Sequence, residues 1–523
     1  MYDILRSIVQ FSSIRQKIYG PIRGVFLLSV LAGFLLVSCS DLVSNQETTS
    51  DSPDSNTSTG TTISSPEIPP TQEPASKATI VIDGPESDAP EEDPTAAVET
   101  STPIPEDTPE PVDTPAAEST AAAGNGDIIT EVNAVRSEIE DNVVEIRGLA
   151  PKKSVEVTLL DRDELRQRLE EEMLADYSPD DAKDDAIVMS AFDFFSKDFD
   201  LYAFTLDLLT EEIAGFYDPE TDEFVLINED EEFDILEQLM HAHEFDHALQ
   251  DQHFDLGQLD DDSLDSEASM ALSALAEGDA TLVQTIYLLE GYLTPDELLA
   301  VLSESLDIDT SILDEAPPVL ARELMFPYLE GVAFVEALYM NGGFDAVDQA
   351  WQDPPQSTEH ILHPQRYIDG DSPQIVSLAP LTDTLGVGWQ LLDEDIVGEL
   401  YLREYLIQQL EEQKVDIAAT GWGGDQYAVY WNETDEDLVL VLRIAWDSPA
   451  DNAEFMDVYR EYPGGVLGSK SRKQPDGGQC WEGNEVICLY SFENETIITK
   501  ASTLERATQV AAEQLEFMRL GDV

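Results

Sequence analysis

Basic residues are scarce in this chain. Lys and Arg total 26 against 109 Asp and Glu, which gives a formal net charge of -83 at pH 7. A surface with that charge repels phosphate backbones, so nucleic acid is excluded as a partner. The acidity itself is typical of a solvated surface that resists aggregation. A hydrophobic content of 42% is ordinary, so the chain has enough apolar residues to build a core.

Cysteine is also scarce, with three residues in the chain, which is few for a secreted protein of this length. Cys480 and Cys488 lie in CWEGNEVICLY, where a short turn separates two strand-like runs. This arrangement predicts a cross-strand disulfide outside the cytoplasm, with two free thiols as the alternative. It does not fit a two-pair zinc knuckle, which needs two more ligands nearby.

One apolar run near the N-terminus, from Val25 to Val37, is shorter than the about 20 residues that a membrane span needs. Basic residues precede it, as in a signal peptide. It ends in Leu36-Val37-Ser38-Cys39, which resembles the lipobox of bacterial lipoproteins. The resemblance implies that residues 1–38 are a signal peptide and that Cys39 carries a lipid. The protein would then be anchored to the cell membrane on its extracytoplasmic side. A plain membrane anchor or a cleaved secretory signal is the alternative.

Residues 39–126 are predicted to form a disordered acidic tether. They are rich in Ser, Thr, Pro and acidic residues and contain no aromatic residue. Such a segment cannot bury enough apolar surface to offset the entropy lost on ordering. Beyond it, the patterning predicts a helix-rich domain over residues 127–379 and a smaller α+β domain over residues 380–523. The predicted fold class is therefore α+β.

Histidine is rare as well, yet four of the six histidines lie between residues 241 and 254. The segment DILEQLMHAHEFDHALQDQ is predicted to be a helix, and a strand hairpin, AGFYDPETDEFVLIN, precedes it. His243 and His247 belong to the pattern H-E-x-x-H. On a helix, residues four apart share a face, so these two imidazoles are placed to bind one Zn²⁺. Glu244 is the candidate general base, and His241 faces elsewhere.

A catalytic zinc site needs a third protein ligand. His253 lies six residues after His247, but a continuing helix would turn it away from the metal. Glu277 lies in the next predicted helix, within ALSALAEGDATL, where a carboxylate is costly unless it is paired or binds a metal. Glu277 is therefore preferred over His253, and Glu267 is a weaker candidate. Gly278 would permit a close approach of helices.

The stretch HEFDHALQDQHFDL, followed by ALAEGDATLVQ, resembles the gluzincins, the thermolysin-like zinc metallopeptidases. It also resembles a family of uncharacterised bacterial lipoproteins. The resemblance implies that His243, His247 and Glu277 bind zinc and that Glu244 is the base in peptide-bond hydrolysis. Thr281 stands where the thermolysin pattern has an Asp that orients a ligand, so Asp279 and Asp246 are alternatives for that role.

The resemblance further implies that the strand EFVLIN pairs with an extended substrate at a sheet edge. An ordinary sheet strand is the alternative for this segment.

The remaining histidines lie in STEHILHPQRY. His363 is the predicted donor to the oxyanion that forms during hydrolysis, with Tyr367 and Arg366 as alternatives and Tyr339 as a weaker candidate, although a purely structural role is the preferred interpretation of this segment. The predicted function is a lipid-anchored, extracytoplasmic zinc metallopeptidase acting on peptides or proteins. The alternative is a catalytically silent, peptidase-like binding or scaffold lipoprotein of the cell envelope.

Overall fold

A computed structural model of the chain describes residues 125–174, 177–219, 221–227, 233–260, 263–305 and 311–520. The predicted signal peptide, Cys39 and the tether up to residue 124 lie outside the described residues. No helix in the described part of the chain has both the length and the apolar character needed to cross a membrane.

A small mixed sheet lies next to the histidine-rich helix. Its strands are β1 (Glu156–Leu160), β2 (Gly215–Asp218) and β3 (Glu223–Ile227), in the order β1-β3-β2. The predicted hairpin is present, because β2 pairs antiparallel with β3. However, β1 pairs in parallel with the other side of β3. The prediction that EFVLIN forms a substrate-binding sheet edge is therefore wrong, because both sides of this strand are already hydrogen-bonded.

Helices make up most of the described residues between 125 and 369, as predicted. The histidine-rich helix is α5, and the helix that carries Glu277 is α6. In chain order, the helices are α1 (Asn125–Arg147), α2 (Arg162–Arg168, followed by a π-turn over Leu169–Met173), α3 (Pro179–Ala191), α4 (Leu201–Glu212), α5 (Ile235–Phe254), a 3₁₀ turn over Leu256–Asp260, α6 (Ser266–Leu289), α7 (Pro295–Glu304), α8 (Ser311–Glu315), α9 (Pro318–Gly342), α10 (Phe344–Gln352), α11 (Thr358–Leu362) and α12 (Pro364–Asp369).

Two glycines let α6 and α9 pack at very short range. A Cβ atom added at Gly278 would lie 2.2 Å from the carbonyl oxygen of Gly331, and one added at Gly331 would lie 2.3 Å from the carbonyl oxygen of Ala274. Any side chain at either position would therefore force the helix backbones apart. The close approach predicted from Gly278 is confirmed, and it fixes the part of α6 that carries Glu277.

A seven-stranded antiparallel sheet follows residue 389, flanked by short and medium helices. The strand order is β4-β5-β6-β10-β9-β8-β7. The α+β prediction is thereby confirmed. The elements are α13 (Thr382–Leu385), β4 (Gln390–Asp395), α14 (Gly398–Ile407), α15 (Glu412–Ala419), β5 (Trp422–Asn432), β6 (Asp437–Trp446), α16 (Pro449–Tyr459), α17 (Tyr462–Leu467), β7 (Arg472–Lys473), β8 (Gln479–Glu482), β9 (Val486–Phe492), β10 (Glu495–Ala501) and α18 (Leu504–Leu520).

The predicted disulfide between Cys480 and Cys488 is present. These residues face each other directly in the β8–β9 pair, and their sulfurs are bonded. Both side chains are fully buried.

The largest apolar core contains residues from before and after residue 380. In it, the ring of Phe192, at the end of α3, meets the rings of Tyr405 and Tyr427 edge-on, with centroid distances of 5.9 and 5.3 Å. The sheet therefore packs directly against the helical part. The division between residues 379 and 380 stays a prediction.

Candidate metal centre

The helix α5 begins at a capping box that fixes its register. The Asp234 side chain accepts a hydrogen bond from the Glu237 backbone N–H, and the Glu237 carboxylate accepts one from the Asp234 backbone N–H. From this start the helix continues unbroken past His253 to Phe254. His243 and His247 therefore lie one turn apart on one face, and neither side chain reaches solvent.

Glu277 completes a compact triad with the two histidines. Its Oε2 lies 3.2 Å from His243 Nε2 and 3.5 Å from His247 Nε2, and the two Nε2 atoms are 3.0 Å apart. Ligand atoms at about 2.0–2.1 Å from a tetrahedral ion are separated by roughly 3.3 Å. The three side chains therefore fit one metal ion, and this is the group of potential ligands found among the described residues. Glu277 therefore joins the two histidines in a group that could hold a metal ion, and its role as a zinc ligand stays a prediction.

The hydrogen bonds of Gln250 fix the proton on His247. The Gln250 amide nitrogen donates to Asp246 Oδ2 and to the Ala276 carbonyl oxygen, both at 3.0 Å. Its Oε1 lies 2.8 Å from His247 Nδ1 and is an acceptor, so that nitrogen carries the ring proton and donates the hydrogen bond. His247 Nε2 consequently keeps its lone pair and points it into the triad. Sequence reasoning did not assign this role to Gln250.

We expect Gln250→Ala to lower metal affinity by roughly 10- to 100-fold, the usual effect of losing a residue that orients a ligand. The physical reason is that His247 loses the acceptor that holds its ring and tautomer. Metal affinity is measured by competition with a chromogenic chelator. Gln252→Ala, a half-buried change on the same helix, should leave the affinity unchanged. Equal affinities for the two variants would contradict this role for Gln250.

A buried ion pair supports α6 just beyond Glu277. The Arg147 Nε donates to Asp279 Oδ1 at 2.9 Å, and Trp351 Nε1 donates to Asp279 Oδ2 at 3.0 Å. Asp279 therefore pairs with Arg147, and no hydrogen bond joins it to either imidazole in the described structure. Of the two predicted orienting residues, Asp246 acts only indirectly, through Gln250, and Asp279 anchors α1 to α6. Burial and the nearby Asp279 charge raise the pKa of Asp246 well above its usual value.

Glu244 is held beside the small sheet. The Tyr217 backbone N–H, from β2, donates to Glu244 Oε2 at 2.9 Å. Its second oxygen, Oε1, is buried and has no hydrogen-bond partner among the described residues. Burial, reinforced by the charge of Glu277, raises the pKa of Glu244 well above its usual value. A carboxylate with one anchored oxygen, one available oxygen and a raised pKa is suited to accept a proton near neutral pH.

The two ligand types are held in the protonation states that metal binding requires. Burial lowers the pKa of His243 to about 4. Burial alone would raise the pKa of Glu277, but the adjacent imidazoles of His243 and His247 outweigh it and lower that pKa to about 2. At neutral pH, His243 is therefore uncharged and Glu277 is ionised, which are the forms that ligate metals.

The rejected ligand candidates lie elsewhere. His253 Nε2 is 2.8 Å from the Ala150 carbonyl oxygen, and Glu267 accepts from the backbone and hydroxyl of Thr358 at 2.8 Å. His241 Nε2 lies 3.2 Å from Glu140 Oε1. Each of these side chains therefore has a local partner away from the triad.

The predicted oxyanion donors have hydrogen-bond or ion-pair partners that are not members of the triad. His363 Nε2 lies 3.0 Å from Glu399, and the Tyr367 hydroxyl donates to the Asp353 carbonyl oxygen at 2.8 Å. Arg366 pairs with Asp447. The role of His363 stays a prediction. An aromatic residue that the sequence did not single out, Tyr328 of α9, lies beside the triad, with its ring centroid 6.4 Å from that of His243.

The carboxyl group of Glu359, near His363, is expected to make the free energy of unfolding depend on pH. Burial, together with the charges of Glu399 and Asp447, outweighs Arg366 and raises its pKa from 4.5 to about 9. The folded state therefore keeps a proton that the unfolded chain releases, so this residue lowers the free energy of unfolding as pH rises between these values. We expect Glu359→Gln to flatten this decline in urea unfolding measured across that pH range. The exposed change Glu336→Gln should not, and an unaltered slope in Glu359→Gln would contradict the assignment.

The triad is closed to solvent. His243, Glu244 and His247 are each 0% exposed, and Glu277 is 1% exposed. A cavity of about 680 Å³ is present, but its lining includes none of these four residues. In the described structure, the candidate metal-binding triad is therefore fully buried.

Comparison with known proteins finds one family model that matches part of the chain. Residues 389–511 match a domain of unknown function (DUF8575). No curated protein and no solved structure matches the chain. The match covers the seven-stranded sheet and about the first half of α18, and it does not include the residues of the triad.

Proposed function

We propose that the chain is a zinc-dependent metallopeptidase, anchored outside the cytoplasm by a lipid on Cys39, that hydrolyses peptide bonds. The observation that carries the proposal is the buried triad of His243, His247 and Glu277, with the available oxygen of Glu244 next to it in sequence. The membrane anchor rests on the sequence alone, through its resemblance to a lipobox.

Zinc is the metal that this ligand set favours. Two imidazoles and one carboxylate form the His₂Glu set of catalytic zinc sites, which hold the ion in tetrahedral geometry. A bound zinc ion would polarise a peptide carbonyl and promote ionisation of water at neutral pH. The lone pair that Gln250 secures on His247 and the ionised Glu277 are the protein's contribution to binding it.

Glu244 carries the proton transfer in this proposal. Its Oε1 takes a proton from the attacking water, while the Tyr217 N–H holds Oε2 and thereby fixes the carboxylate. The raised pKa keeps the proton on Glu244 long enough to pass it to the departing amine. Because Glu244 is fully buried, substrate access requires the elements around the triad to separate.

A second candidate function is favoured by the burial of the site. A closed site is typical of structural metals, and a binding or scaffold lipoprotein would need no substrate cleft. A scaffold role, however, does not explain why Glu244 is buried with one carboxylate oxygen that has no hydrogen-bond partner among the described residues, because such burial is energetically costly.

Incubation of the purified chain with casein and a mixed peptide library, with zinc or with a chelator, separates the two functions. The peptidase proposal predicts cleavage with zinc that stops with the chelator. The scaffold proposal predicts a zinc-loaded protein that cleaves nothing, with a melting temperature that falls when the metal is removed.

A further inference from the structure

The cavity of about 680 Å³ lies away from the metal triad. It is bounded by the start of α6, the segments 354–356 and 373–376, and the start of β5. Glu267, which lines it, lies ten residues before Glu277 on α6, or about 15 Å along the helix axis. The cavity and the candidate metal-binding triad are therefore separate sites connected by one helix. Ligand binding in the cavity does not depend on the proposed peptidase activity.

Two buried carboxyl groups line this cavity. Glu267 and Asp425 are 2% and 3% exposed. Asp425 is fully engaged, because it accepts hydrogen bonds from the backbone of Val397 and Gly398 and from the Trp422 indole. The carboxylate of Glu267 is only partly engaged. Thr358 donates both of its hydrogen bonds to Oε2, and Oε1 has no hydrogen-bond partner within the described structure. One buried acceptor is thus available in the cavity wall.

The rest of the lining is mostly apolar. Leu272, Ile396 and the Trp422 ring contribute to it, and Ile375, which is 96% exposed, stands at its mouth. No Lys, Arg or His occurs among the described lining residues. Burial, with the charge of Asp425 as a further contribution, raises the pKa of Glu267 well above its usual value. A positive charge placed here would relieve both the desolvation and the repulsion.

We infer that this cavity binds an organic cation, with a primary ammonium or guanidinium group at Glu267 Oε1 and an apolar stem along the walls. An inorganic divalent ion fits less well, because it needs several oxygen ligands around one point, whereas ten of the lining residues are apolar and the Asp425 carboxylate already accepts three hydrogen bonds. The same chemistry occurs in free amines and in lysine or arginine side chains, so both are included in the test.

The test is calorimetric titration of the full chain with 4-phenylbutylamine, which is cationic at neutral pH, and with the neutral isostere 4-phenylbutanol. We expect the amine to bind at least roughly 10-fold more tightly, because a charged hydrogen bond is involved. N-acetyl-lysine methylamide is titrated in parallel. Tighter binding of this derivative would assign the site to peptide side chains, and tighter binding of the amine would assign it to free amines.

Two variants test the site itself. Glu267→Gln keeps the shape but removes the charge, and it should weaken amine binding by roughly 10- to 100-fold. Ile375→Lys places a cation at the mouth without disturbing the interior and should also weaken binding. Its matched control is Val387→Lys, at an equally exposed residue outside the lining, which should bind like the wild type. Thermal unfolding checks that each variant is folded.

Three results would overturn the inference. The first is equal affinity for the amine and the alcohol. The second is unchanged amine affinity in both folded variants, Glu267→Gln and Ile375→Lys. The third is displacement of the amine by millimolar Ca²⁺, which would make the cavity a metal site instead.

Discussion

If the chain is the peptidase proposed above, we expect replacement of Glu244 with glutamine to lower peptide cleavage by roughly 100- to 10,000-fold, the contribution that general acid–base catalysis makes. Glutamine can still accept the hydrogen bond from the Tyr217 N–H, so the local structure is preserved. It cannot take a proton from water, so the hydrolytic step loses its base. Because Glu244 is not one of the three triad residues, the metal content stays that of the wild type.

The measurement is the initial cleavage rate of a peptide found with the wild type, with zinc content determined on the same sample. Glu336→Gln is the matched control, since Glu336 lies on the surface of α9 and its loss should alter neither quantity. Wild-type cleavage by the zinc-loaded Glu244→Gln variant would remove this residue from the mechanism.

Replacing Arg147 with alanine is the second large effect, and it acts on stability. Arg147 and Asp279 have fully buried side chains, and their pairing ties α1 to α6. Loss of the guanidinium leaves Asp279 buried without its counter-charge. Asp279 is then also close to Asp246, whose pKa is raised by burial and by the charge of Asp279. We expect the free energy of unfolding to fall by about 3–5 kcal/mol, the usual cost of breaking a buried ion pair from one side.

Urea unfolding of the wild type and Arg147→Ala measures this loss. The control is Arg166→Ala, because Arg166 pairs with Asp207 on the surface and such pairs contribute only about 0–1 kcal/mol. The double variant Arg147→Leu with Asp279→Leu should recover part of the loss, because the fully buried Asp279 charge is removed together with its partner, while Asp348, which also pairs with Arg147, is partly exposed to solvent. Equal stability of Arg147→Ala and Arg166→Ala would contradict the account.

The sequence predicted the features that depend on local periodicity. The spacing of His243 and His247 fixed their common face, and the cost of a carboxylate in an apolar helix singled out Glu277. The rejection of His253 also followed from helix geometry, since α5 continues through it. These arguments need only the helical repeat, which is why they succeeded without tertiary information.

Features that depend on distant partners were not predictable in the same way. The strand EFVLIN has the same sequence whether it lies at an edge or in the middle of a sheet, and its central position depends on pairing with β1, far earlier in the chain. The pair of Arg147 and Asp279 joins residues 132 positions apart. The role of Gln250 was predictable from local sequence, because a side chain three residues after His247 on a helix is placed to accept a hydrogen bond from that imidazole.

The closure of the metal centre is the other feature that the sequence did not reveal. Burial of Glu244 depends on how β2 and the neighbouring helices pack around α5, and the motif carries no information about this. The closed site has a functional consequence, since an active peptidase must open it during each catalytic cycle.

Zinc content of the purified chain, compared with that of Glu277→Ala, tests the central claim most directly. The account predicts about one zinc per chain in the wild type and a large loss in Glu277→Ala, since removing one of three protein ligands leaves two imidazoles. Glu290→Ala, an exposed change at the end of the same helix, should retain the wild-type content. A zinc content in Glu277→Ala equal to that of the wild type would contradict the existence of this centre.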